Sequence, residues 1–219
     1  NDTDLTVFRK KANIQGFNFA FIDDHFDYHA ALDTPERLDN NTLSHQASYL
    51  MPLLNHFGNA DLTTLESSEN NVYFNSPLGM HSYPFSWILP LVIIAFVLFI
   101  MLIIYGKRKK KLNNKEIGKG FLAFISALII NGAIGFIGWK VILNLYPHYS
   151  EILQGFTYNG HTYILFFVLL ALSITFYIYK KVYTTNNTKE LLVAPIFIWL
   201  LINLLISQVL EGANFFIIP

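Results

Sequence analysis

Between residues 85 and 210 the chain carries four apolar stretches, and no other feature narrows its structure as much. Phe85–Tyr105 runs for 21 residues without a charge, Phe121–Tyr146 contains only Lys140, Tyr163–Tyr179 is uncharged, and Leu191–Leu210 is uncharged. About 20 apolar residues in a helix cross a hydrocarbon core of ~30 Å. Inside lipid the backbone must satisfy its own N–H and C=O groups, so each stretch is expected to be a helix. A helix on a soluble domain would show a polar stripe at a period of 3.6, and none of the four does. Residues 84–219 are therefore read as an all-α region of four transmembrane helices, with spans near 85–105, 121–146, 163–179 and 191–210.

Charge divides the chain in the same place. Residues 1–83 hold eleven acidic residues against four basic ones (Arg9, Lys10, Lys11, Arg37), a net −7, and residues 84–219 hold the reverse, a net +7. The neutral total conceals two unlike halves. The loop 106–120 contains Lys107, Arg108, Lys109, Lys110, Lys111, Lys115 and Lys119, and 180–190 adds Lys180, Lys181 and Lys189, whereas 147–162 has neither Lys nor Arg. By the positive-inside rule, loops 106–120 and 180–190 are expected in the cytoplasm and residues 1–83 on the extracytoplasmic side, periplasmic or lumenal. Beside a membrane span, Lys107–Lys111 reads as a topology anchor able to meet anionic lipid, not as a nucleic-acid patch. The bilayer is an expected partner and nucleic acid is not.

Within the spans, Lys140 stands near the outer end of its helix, where it can snorkel to the interface. Gly132, Gly135 and Gly138 suit close approach of a neighbouring helix. Pro195 is expected at a first helical turn, where it is tolerated. A proton-coupled transporter needs polar groups facing one another between spans, and only Lys140 and Asn131 stand out, so anchoring is favoured over transport. With no cysteine, disulfides and thiolate metal ligands are excluded.

The polar half reads as a helix from a Thr3-Asp4 cap to about Ala12, broken by Gly16, and then a strand over Phe17–Ile22 with alternate aromatics. An acidic loop follows. A second helix is expected over Asn41–Phe57, capped at Asn41 or Thr42, with Pro52 kinking or ending it. The loop after the strand concentrates Asp23, Asp24, His25, Asp27, His29 and Asp33. Open α/β sheets bind ligands beyond the carboxyl ends of their strands, and His with carboxylates suits zinc. Such loops are also commonly just solvated.

The series Asp2-Thr3-Asp4, Thr6-Val7-Phe8, Gly16-Phe17-Asn18-Phe19-Ala20-Phe21, Tyr28-His29, Asp33-Thr34-Pro35-Glu36, Leu38 and His45-Gln46 resembles the last third of a co-catalytic zinc aminopeptidase domain. The family is metallopeptidase family 28, in the multi-pass branch that includes vacuolar membrane proteases and endoplasmic reticulum metallopeptidases. Val72-Tyr73-Phe74 and Tyr83-Pro84 resemble its junction between peptidase and membrane parts. The resemblance implies an α/β fold for residues 1–83, the C-terminal part of a mixed-sheet zinc-exopeptidase domain. It implies that His29 is a zinc ligand of a two-zinc centre and that Tyr28 donates to the oxyanion formed on a peptide carbonyl. Asp33 falls where a carboxylate could orient the loop or the histidine, or cap a helix. His25 and His45 match no role, and Asp4 reads as a helix cap.

The family's other ligands and its general base fall upstream of residue 1. One His and one Tyr cannot hold two zinc ions or deprotonate water. Both ends look cut, so the expectation is a fragment, inactive alone, of a membrane-anchored aminopeptidase acting on peptide substrates outside the cytoplasm. The alternatives are a non-catalytic peptidase-like scaffold and a transporter subunit. Asn40-Asn41-Thr42 forms a glycosylation sequon, a triplet that is common by chance.

Overall fold

The computed structural model describes residues 3–19, 27–28, 31–65, 67, 69–152 and 155–217. By contacts the chain divides into two units, residues 1–61 with 148–158, and residues 62–147 with 159–219.

In the first unit, α1 (Asp4–Ala12) follows an N-cap at Thr3, whose backbone N–H donates to Thr6 Oγ1 at 3.2 Å. Asp4 stands in the first turn and Arg9, Lys10 and Lys11 in the last, each matching the sign of the helix dipole there. The helix stops at Asn13, which takes the left-handed conformation (φ 53°), three residues before the expected break at Gly16. A Cβ on Gly16 would stand 2.8 Å from Leu5 Cδ1, so this glycine lets the chain fold back over α1.

The second helix, α2 (Asn40–Asn59), is longer than expected at both ends. Its cap is Asp39, not Asn41 or Thr42: Asp39 Oδ2 accepts from the Thr42 N–H at 2.9 Å and from the Thr42 hydroxyl at 2.8 Å. Pro52 does not end the helix, which continues to Asn59.

Phe17–Phe19, expected to open a strand, are not in one. Their rings pack on α2 instead, Phe17 against Phe57 (5.4 Å between centroids) and Phe19 against Tyr49 (4.9 Å). Alternating aromatics signal a half-buried surface, and here the helix supplies that surface without a strand partner. Residues 20–22 lie outside the described residues. Among the described residues the sheet is a single antiparallel hairpin further on, β1 (Asn71–Ser76) with β2 (Gly79–Pro84), in the register Asn71 to Pro84 through Ser76 to Gly79. The described fold is therefore mostly helical, and the mixed sheet of a peptidase domain is not among its described parts.

In the second unit, α3 (Ile88–Arg108), α4 (Asn114–Leu145), α5 (Gly160–Val182) and α6 (Thr188–Val209) coincide with the four apolar stretches. With the turn before α3, the four candidate spans are 22 to 32 residues long. At 1.5 Å per residue the shortest covers about 33 Å, enough to cross hydrocarbon. α4 packs on both α5 and α6, and α3 packs on α6, giving the spatial order α3-α6-α4-α5. None of the apolar core of α5 is buried, so its side chains require lipid as their solvent.

Two helix backbones come close at Gly120. A Cβ there would lie 3.0 Å from Glu190 O and from Leu191 Cα, backbone of α6 on backbone of α4. Gly132 and Gly135, expected to serve this role, have nothing within 4 Å, and Gly138 meets only the Phe167 ring. Pro195 stands inside α6, well past its first turn, so its ring deprives the Leu191 carbonyl of a helical donor. Lys140 turns back over the Phe136 ring, 5.8 Å from its centroid. Asn131 reaches across to α5, its Nδ2 donating to Thr175 Oγ1 at 3.0 Å. Asn131 thus links two helices, whereas Lys140 stays on its own helix.

Each end of the bundle has its own lock. At the lysine-rich end, the connections α3–α4 and α5–α6 are tied together. Asn187 Nδ2 donates to Glu116 Oε2 (2.8 Å), and the Asn113 N–H donates to Glu190 Oε1 (3.2 Å). Both basic loops thus stand at the same end. At the other end the hairpin packs against α3 and the 3-10 turn Glu211–Ile217. Val72, Tyr83 and Ile88 form a small buried core, and the Tyr83 hydroxyl donates to Asn214 O at 3.0 Å.

Two outcomes follow. Gly120→Leu forces two helix backbones apart and should lower the stability of the detergent-solubilised chain by roughly 1–3 kcal/mol. Gly132→Ala, with open space around it, should leave stability unchanged or raise it, so thermal unfolding of the pair separates the two sites. The Thr42 bonds hold the Asp39 carboxyl below its ordinary value of 3.8. Because the folded value is the lower one, the cap's stabilisation is complete above the ordinary value and is lost as pH falls through the folded one. Amide exchange at Thr42, corrected for intrinsic rate, should accelerate over that acid range and not above it.

Candidate functional site

Of the residues singled out in the sequence, Tyr28 and Asp33 lie among the described residues, and His29 lies outside them, as do Asp23, Asp24 and His25. Tyr28 is 60 % exposed, which leaves its phenol ring accessible to a ligand. Asp33 is exposed, just ahead of a 3-10 turn, Pro35–Arg37, that starts from Thr34. Proline at the first position of that turn has the fixed φ the turn needs and no N–H to leave unpaired. The Arg37 N–H closes the turn on Thr34 O at 3.1 Å.

This turn aims Arg37 back at the loop. Its Nε donates to Asp27 Oδ2 at 2.6 Å and its Nη2 to Asp27 Oδ1 at 3.1 Å, a two-pronged charge-assisted pair. The pair joins positions on either side of Tyr28, His29 and Asp33 and closes the segment into a loop. Sequence reasoning missed it. Opposite charges ten residues apart belong to no helical or strand period, so only the turn at Pro35 brings them together. Within the turn, the Glu36 carboxyl is held below its usual range by its own backbone N–H and then by Thr34. His45, given no role from sequence, sets its ring edge-on to Tyr49 at 5.5 Å and acts in packing.

Zinc has a demanding test here, since a structural or catalytic zinc takes three or four protein ligands. Among the described residues no three His, Asp or Glu side chains come together to hold a metal ion. Tyr28, Asp27 and Asp33 do not make up a two-zinc donor set, and Asp27 is already bound to Arg37. The donors among the described residues do not by themselves fit such a centre.

Comparison with known proteins gives a distant likeness. The chain is 24 % identical over 170 residues to endoplasmic reticulum metallopeptidase 1 of Homo sapiens, and 28 % identical over 178 residues to the protein of the same name of Mus musculus. Each match takes in 75 % of this chain, so it runs across the junction near residue 84 and includes part of the polar segment as well as membrane helices. The chain spans only 18 % of the length of these curated relatives. No protein-family model matches it, and no solved structure does. In sequence and in its four long apolar helices, this is a membrane protein distantly related to a metallopeptidase.

Proposed function

We propose that this chain carries the C-terminal part of the peptidase domain of a membrane-anchored zinc peptidase of the aminopeptidase type, followed by membrane spans. In this reading it carries one edge of the catalytic pocket on a four-helix anchor. The observation that supports it most is the run of similarity to endoplasmic reticulum metallopeptidase 1, which crosses the junction near residue 84 into the spans. The Tyr28-His29 and Asp33-Thr34-Pro35-Glu36 segments, which resemble metallopeptidase family 28, fall in the polar part.

In this proposal His29 contributes one imidazole to a zinc pair, and the remaining ligands and the general base come from outside these 219 residues. Tyr28 offers a hydroxyl donor to substrate, and the Asp27–Arg37 pair ties together positions that flank it in sequence. Asp33 is assigned a positioning role in the same loop. The positive-inside rule puts the lysine-rich end in the cytoplasm and residues 1–83 with their peptide substrates on the far side.

Two experiments test this. In the full-length parent, His29→Ala should abolish peptidase turnover and lower bound zinc, while the isolated chain should show no turnover of aminoacyl substrates with added zinc. Unchanged turnover in the variant would remove His29 from the site. For orientation, the absence of native cysteine makes single introduced cysteines clean reporters. Asp33→Cys should react with a membrane-impermeant maleimide from the extracytoplasmic side, and Thr185→Cys only after permeabilisation. The opposite pattern would overturn the topology.

A further inference from the structure

At the lysine-rich end of the bundle, α4 and α5 diverge enough to leave a groove of about 500 Å³ between them. Leu122, Ala123 and Ser126 of α4 and Ile174, Tyr177 and Lys181 of α5 form its walls. The lining is apolar along its depth and cationic where α5 ends. Lys181 Nζ stands 4.5 Å from the centroid of the Tyr177 ring, which draws the ammonium over the groove. Lys115 is seven residues before Leu122 and so lies two turns away on the same face of α4.

The acidic residues of this end are turned to other tasks. Glu116 is bound by Lys119 (2.7 Å) and Asn187, and buried Glu190 accepts from the Asn113 backbone. They lock the two connections, while the lysines around them stand outward. An apolar slot open to the bilayer, with cations at the headgroup level, is complementary to a lipid with an anionic head. A second copy of this chain lying parallel in the same membrane would bring its own lysine-rich end to the same depth, against like charge.

We propose that the α4–α5 groove holds one acyl chain of an anionic phospholipid, with Lys181 and Lys115 on its phosphate. The bound lipid fills the gap between the helices and adds to the contacts that join α5 to the rest of the bundle. No peptidase chemistry is involved, so this assignment stands apart from the proposed function.

The test is native mass spectrometry of the full chain in detergent, after incubation with equal amounts of phosphatidylserine and phosphatidylcholine of the same acyl composition. Phosphatidylserine should be retained over phosphatidylcholine. Lys181→Ala should reduce its retention about fivefold, the effect of one lysine near an anionic headgroup. Ser126→Phe, which places a ring in the slot, should remove the adduct, and Lys109→Ala, on the α3–α4 connection, should leave it. Millimolar inorganic phosphate should not displace the lipid. Lys181 is exposed, so its variant keeps the test valid should Ser126→Phe fail to fold. Equal retention of the two lipids would overturn the proposal. So would a Lys109→Ala effect as large as that of Lys181→Ala, which would mean a diffuse basic surface. Displacement by phosphate alone, or a dimer in place of the lipid adduct, would overturn it as well.

Discussion

Hydrocarbon offers no hydrogen bonds, and most of this structure follows from that constraint. A backbone N–H or C=O without a partner in lipid costs several kcal/mol, so the four apolar stretches close their bonds internally as helices. Side chains follow the same rule only in their donors, since the Oδ1 atoms of Asn131 and Asn203 are buried without a partner among the described residues. Asn131 meets Thr175 across the α4–α5 contact, and buried Asn203 donates to Trp199 O one turn back in α6. Polar groups are rare in the middle of the bundle and gather at its ends, where the chain reverses and backbone groups need partners.

Those ends show two solutions to one problem. At the lysine-rich end the partners are side chains. Asn187 alone accepts from the Thr184 N–H and donates to Val182 O and Glu116. At the opposite end a hairpin does the work, since its backbone bonds are satisfied in pairs and its apolar face covers the start of α3. Phe74 stacks on Phe215 (6.2 Å), and the Tyr83 hydroxyl donates to Asn214 O. Pro77 and Gly79, the latter at φ 120°, give that hairpin its turn.

The loop bearing Tyr28 is governed by a different balance. Its described residues are largely exposed, and short-range features shape them: a proline-initiated turn, a two-pronged ion pair and the Asp39 cap that begins α2 directly after it. Exposed ion pairs are individually weak and screened by salt.

Much of this was legible in the sequence, because the determining physics is local. Span position and helicity follow from hydrophobic length, and α1 from its cap. The approximate place of α2 was readable too, though its cap at Asp39 was not. Tertiary structure alone decided three things. It chose Gly120 over Gly132 and Gly135 for close approach, since a glycine matters only where another backbone arrives. It laid Phe17 and Phe19 on α2, because alternating aromatics specify a covered surface but not what covers it. It joined Asp27 to Arg37, and the two basic loops to each other, because contacts between residues far apart in sequence depend on how the chain turns back on itself, which no short-range period records.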